Sequence, residues 1–293
     1  GTSASRSSMS GITTAGGTLT LNAFGAVTQS QKITAGALQL LGGTGVSYTL
    51  ANVLNDITTL AASTAGPISY GDANSYAVGS VSSSNYFSVA TIPTGGSTNG
   101  TTETGSAGNY TATTVGIHTT AGGTVQLDVP GTLTLNNDIN TDGAFAQISS
   151  AGTGTVTITS PRSISTTGDA VSFASPVTLN GVGTTTIDTT SGSNPAGANI
   201  TFDNTLTGTT NSAENLTITA GSGGALTFNG SVGATRLGDV NITQARDVTV
   251  QSSFSAKTLT QSQGATGAPS TTPSAGTTTI NGAVDTTGNT SLA

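Results

Sequence analysis

Asp138-Ile139-Asn140-Thr141-Asp142-Gly143 is the stretch whose residue types and spacing come nearest to chemistry. Oxygen-bearing side chains stand at its first, third and fifth positions and a turn glycine at the sixth, the opening pattern of a calcium loop. The twelfth position, where such a loop carries a bidentate Glu, is Ser149. The same residues also read as a strand, LTLNNDI, ending in a TDG turn. Calcium on Asp138, Asn140 and Asp142 is therefore the one metal expectation, and no other cofactor is indicated.

Other residues able to do chemistry are sparse. His118 is the single imidazole, and its alternation with Ile117 and Val115 reads as an outward strand position rather than as the base of a Ser-His-Asp set. A polysaccharide-cleaving enzyme would gather two or three carboxylates on one face, whereas the 13 Asp+Glu are dispersed along the chain. Asp239 and Asp247 lie beside Arg236 and Arg246, as ordinary ion pairs do. Tyr48, Tyr70, Tyr76, Tyr86 and Tyr110 all fall early in the chain, and Tyr70 and Tyr76 bracket a GDANS turn; such rings either stack on sugars or pack at a solenoid corner. Seven Asn-x-Ser/Thr sequons, at Asn99, Asn109, Asn199, Asn215, Asn229, Asn241 and Asn289, match the number that chance gives in so Thr- and Ser-rich a chain.

Composition narrows the function classes. Charged residues make up 6% of the 293 positions, against roughly 25% in an ordinary soluble domain. With six Lys+Arg and a net charge of -7, no basic stripe exists to neutralise a phosphate backbone, which excludes nucleic acid as a partner. The absence of Cys removes disulfides, thiolate chemistry and cysteine zinc sites. No run of 18 apolar residues is present to span a membrane as a helix. The opening GTSASRSSMSG lacks a basic region followed by an apolar stretch, so the expectation is an internal piece of a longer chain or one whose leader was removed.

The elements that must position these residues are short strands. TLTLN at 18–22 and 132–136, TVTIT at 155–159, PVTLN at 176–180, NITFD at 199–203, NLTIT at 215–219 and ALTFN at 225–229 all alternate small polar with β-branched or Leu positions. Leu133, Val156, Val177 and Ile200 are separated by 23, 21 and 23 residues. Leu216, Val240, Leu259 and Ile280 step by 24, 19 and 21, and Leu19, Leu38, Ile57 and Val78 by 19, 19 and 21. A period of about 21 residues predicts an all-β parallel β-helix, or β-solenoid, in which each coil hydrogen-bonds to the next. Fourteen or so such coils, at roughly 4.8 Å each, would make a rod on the order of 65 Å long. Asn180-Gly181, Asn229-Gly230 and Asn281-Gly282 lead into Val182, Val232 and Val284, and fit either solenoid corners or two-residue hairpins. The T-x-T strands also suggest the Thr rows of an ice-binding face, which the uneven steps count against.

The segments 93–109 and 263–276 break the rhythm and read as loops extruded from the rod, with 191–198 a smaller one. They divide the chain into coils at 1–92, the 93–109 insertion, and coils at 110–293 with the 263–276 insertion.

The stretch 25–81, with GAVTQS, ITAGAL, YTLANVLNDITTLAA and ISYGDAN, resembles the repeats of filamentous-haemagglutinin-like surface proteins. The stretch 225–261 is similar to the repeats of very large bacterial β-strand-repeat proteins. The resemblance implies a right-handed parallel β-helix, secreted to the cell surface, serving in adhesion, biofilm or extracellular fibres. The expected function is a non-enzymatic rod segment whose partners are copies of itself or surface and matrix components, carbohydrate among them. A self-assembling filament subunit and a polysaccharide-acting β-helix enzyme are the alternatives.

Overall fold

A computed structural model describes residues 11–83, 112–262 and 276–292. The expected loop 93–109 and positions 263–275 of the second loop lie outside the described residues. Within them, 26 strands form one sheet in which every ladder is parallel. The exception is an antiparallel hairpin of Ser80–Ser83 with Ala112–Val115.

The chain winds through eleven stacked rungs, at 12–28, 33–50, 56–71, 76–128, 132–148, 155–173, 177–202, 206–228, 232–250, 254–280 and 284–291. At ~4.8 Å per rung the stack is about 50 Å tall. Rungs 4 to 7 show three sides clearly. In rung 5, for example, Thr132–Leu135 forms the first side, Ile139–Thr141 the second and Phe145–Ile148 the third. Each pairs with its counterpart one rung above and one below. No Asn-Gly pair makes a hairpin: Val177–Asn180 and Gly183–Asp188 pair with neighbouring rungs, not with each other.

Strict alternation drives the stacking. On the second side, Ile117, Ile139, Ile164, Ile187, Ile218 and Ile242 stand in one register column and are all buried. Full burial of such a side chain contributes about 1.5–3 kcal/mol. On the third side Phe173, Phe202 and Phe228 stand in register, with centroids 5.2 Å apart at each step and rings 14° from parallel. Phe145 and Phe254 close this stack edge-on at its two ends, both at 5.7 Å. Polar residues at the alternate positions face outward.

The register departs from an even repeat. Leu133, Val156 and Val177 stack as their spacing predicts, but Val177 continues to Leu206, while Ile200 sits on Val171 on another side. Leu19 to Leu38 holds, after which the column runs Leu60 and Val78 rather than through Ile57. Leu216, Val240 and Leu259 stack, but Leu259 continues to Thr290, and Ile280 pairs with Val250. Apart from the steps that cross positions 84–111, such as Tyr76 to Leu133, steps range from 18 residues (Leu60 to Val78) to 31 (Ile187 to Ile218). Strand lengths are set by the core width, so additions to the chain accumulate at corners. Among the described residues these long corners leave eleven rungs, where an even repeat over the whole chain gives fourteen.

Candidate functional site

Thr64, Thr119, Thr141, Thr166 and Thr189 are buried at the corner between the second and third sides in five successive rungs. Each hydroxyl donates to a carbonyl of its own corner. Thr64 reaches Gly66 at 2.9 Å and Thr189 reaches Ala198 at 3.0 Å, while Thr119, Thr141 and Thr166 bond Gly123, Gly143 and Asp169. A tight corner leaves main-chain carbonyls facing inward, and these hydroxyls satisfy them. Glycine follows because the rungs approach so closely: a Cβ on Gly66 would lie 1.7 Å from the Val46 carbonyl oxygen.

From that corner Thr to the first inward residue of the third side is four, six, four, five and eleven residues in rungs 3 to 7. The eleven-residue corner of rung 7 contains the short turn Ser191–Ser193. It folds back along the outside of rung 6, where Thr190 bridges Thr167 and Asn194 Nδ2 donates to the Thr167 carbonyl at 3.2 Å. A flat side thereby acquires a wall. The resulting groove, of about 320 Å³, spans rungs 4 to 6.

The floor of the groove carries the residues that the sequence singled out. His118, Asn140 and Ser165 point outward in one column, continued by Asp188 in rung 7. Asn140 Oδ1 accepts from Ser165 Oγ at 2.6 Å, which leaves the Asn140 amide NH2 facing solvent. Asp142 joins three rungs, its Oδ2 accepting from the Gly122 N–H at 2.7 Å and its Oδ1 from Thr167 Oγ1 at 2.5 Å. The Thr167 hydroxyl, then the Gly122 N–H, hold this carboxyl below the usual carboxylate range. Asp188 is occupied by Thr190, through its N–H at 2.7 Å and its hydroxyl at 2.6 Å. The His118 ring is exposed and has no hydrogen-bonded partner among the described residues.

Asp138, Asn140 and Asp142 lie on strand and corner backbone, with Ile139 and Thr141 turned inward between them. The three side chains tie rung 5 to rung 6, Asp138 Oδ1 accepting from the Ser163 N–H at 2.9 Å. Among the described residues no three His, Cys, Asp or Glu side chains are grouped to hold a metal. Comparison with family models, curated proteins and solved structures finds no match to this chain. The groove and the fold around it are what bear on function.

The conspicuous sequence motifs near the N-terminus are corner locks. Tyr70 and Tyr76 are buried and edge-to-face at 5.2 Å, so neither ring is presented to a sugar. Tyr70 donates to Asp72 Oδ2 at 2.6 Å, and the same buried carboxylate accepts from the Ile57 and Asn74 N–H groups. Burial pushes the Asp72 carboxyl up, against those hydrogen bonds. Asn55, also buried, accepts from the Ile33 N–H at 2.8 Å and donates to the Leu50 and Gly71 carbonyls, both at 3.0 Å. Asp247 pairs with Arg246 at 2.6 Å as its neighbourhood suggests, but Asp239 takes Lys257 at 3.4 Å and Arg236 goes to Asp285. The groove's wall is the smaller loop that the sequence marks at 191–198; what the sequence does not show is that this loop folds back onto Thr167.

Proposed function

We propose that this chain is a non-enzymatic, adhesive rod segment of a secreted bacterial surface protein of the filamentous-haemagglutinin-like kind. One observation carries the reading: the parallel ladder runs through all eleven rungs, over a continuous apolar column, with small polar side chains outside. A solenoid of this kind gains stability with each added rung, because its energy is a sum over neighbouring interfaces. It is therefore suited to hold surfaces at a fixed distance and to present outward residues repetitively. The low charge supports the same reading, since rods that repel weakly lie close to surfaces and to one another.

Two measurements test it. Small-angle scattering of the isolated chain is expected to give an elongated particle. Display of the chain on a non-adherent bacterial host is expected to raise attachment to matrix-coated surfaces. A compact particle, unchanged attachment, or turnover of a polysaccharide by the purified chain would overturn the proposal.

A further inference from the structure

We propose that the groove formed by His118, Asn140, Asp142, Ser165, Thr167 and Ser191 binds a neutral pyranose unit of a polysaccharide. This inference rests on the adhesive reading and gives it a ligand class. Its first support is concavity: the long corner of rung 7, pinned to Thr167, makes a hollow of about 320 Å³ on a side that is otherwise flat. That size lies at the lower end of small-ligand sites, which begin near 300 Å³.

The second support is the set of groups left available there. Asn140 Nδ2, the His118 ring and the hydroxyls of Thr120 and Ser191 have no partner among the described residues. Asp142, Ser165 and Thr167 each retain a lone pair beyond the bond they already make. Donors and acceptors are thus mixed over a few ångströms, the pattern that ligand hydroxyls match, since each hydroxyl both donates and accepts. An anion would meet Asp142, with Asp188 next to Ser165 in the ladder. A multivalent cation would find one groove carboxylate whose two oxygens are already bonded. Asp142 is pre-oriented by rungs on both sides, so little ordering is lost when a sugar hydroxyl donates to it.

The test exploits a property of the composition: His118 is the one histidine, so its ring signals are assignable on sight. The full chain is titrated with neutral oligosaccharides (cello-, malto-, galacto- and chito-tetraose), and separately with calcium chloride and inorganic phosphate. At least one oligosaccharide is expected to shift the His118 ring signals saturably. Asn140→Ala, an exposed position, is expected to raise the apparent Kd about fivefold, with the remaining spectrum unchanged. Thr201→Ala, on another side of the rod, is expected to leave the Kd as it was. The inference is overturned if no oligosaccharide moves the His118 signals, if Asn140→Ala binds as well as the parent, or if phosphate or calcium moves them as tightly. None of these results alters scattering or attachment, so a failure here is distinct from a failure of the rod.

Discussion

Threonine performs two different tasks in this chain, and the distinction can be made residue by residue. Thr141 is buried and its hydroxyl closes a corner on the Gly143 carbonyl, whereas Thr134, on the first side of the same rung, points outward and its hydroxyl has no hydrogen-bonded partner among the described residues. Replacing either with Val preserves shape and removes a hydroxyl. Thr141→Val is expected to cost about 1–3 kcal/mol, because a buried carbonyl loses its donor. Thr134→Val is expected to stay within about 0.5 kcal/mol of the parent. Urea unfolding of the two variants checks this, and equal costs would show that the corner hydroxyl is dispensable. Alternation separates the two in the sequence: Thr134 directly follows the inward Leu133, whereas Thr141 stands two positions after the inward Ile139, but the carbonyl that the Thr141 hydroxyl satisfies is visible only in the structure.

At the scale of the element, alternation made the strands, the parallel arrangement and most inward residues legible, since Leu133, Val156 and Val177 both alternate and stack. Most corner lengths were not legible, because Gly, Ser, Thr and Asn fill short and long corners alike and nothing apolar marks where one ends. Val182 shows the limit from the other side: it comes directly after an Asn-Gly pair, one position earlier than Val232 does after its own, and it is 82% exposed on a corner while Val232 is buried. The longest of the five corners is the exception, marked in the sequence as the loop 191–198, although its fold back onto rung 6 is not. Strands and corners should therefore differ sharply in tolerance. A Gly-Ser insertion between Asn194 and Pro195 is expected to lower the Tm by no more than a few degrees, about the effect of 1 kcal/mol in a chain of this size. One residue inserted after Ser172 would turn Phe173 outward within its strand and break its stacks with Phe145 and Phe202. That variant is expected to lose the cooperative transition, and thermal melts followed by far-UV dichroism compare the two. Equal tolerance would mean that register is not held by the column of Phe and Ile.

For the whole molecule the scarcity of charge sets behaviour in solution, and acid tests it without changing a residue. The sequence pI is about 4.2, so near that pH the repulsion between rods vanishes, which favours side-by-side association of long flat surfaces. Whether the fold survives to that point depends on the carboxyls whose titration is tied to structure. Asp142 and Asp247 are held below the ordinary value of 3.8, by the Thr167 hydroxyl and Gly122 N–H and by the Thr277 N–H and Arg246 respectively. Their contribution is present above 3.8 and is lost only as pH falls through their lowered values. Asp72 is shifted the opposite way by burial, so its contribution is complete below 3.8 and declines as pH rises through its raised value. Asp142 and Asp247 therefore still stabilise the fold at pH 4.2, and Asp72 weighs against it less there than at pH 7. Lowering the pH from 7 to 4.2 at low salt is therefore expected to raise light scattering while the strand dichroism stays constant, and return to pH 7 is expected to reverse it. Scattering that rises only together with loss of the strand signal would mean that acid unfolds the rungs before the rods can associate.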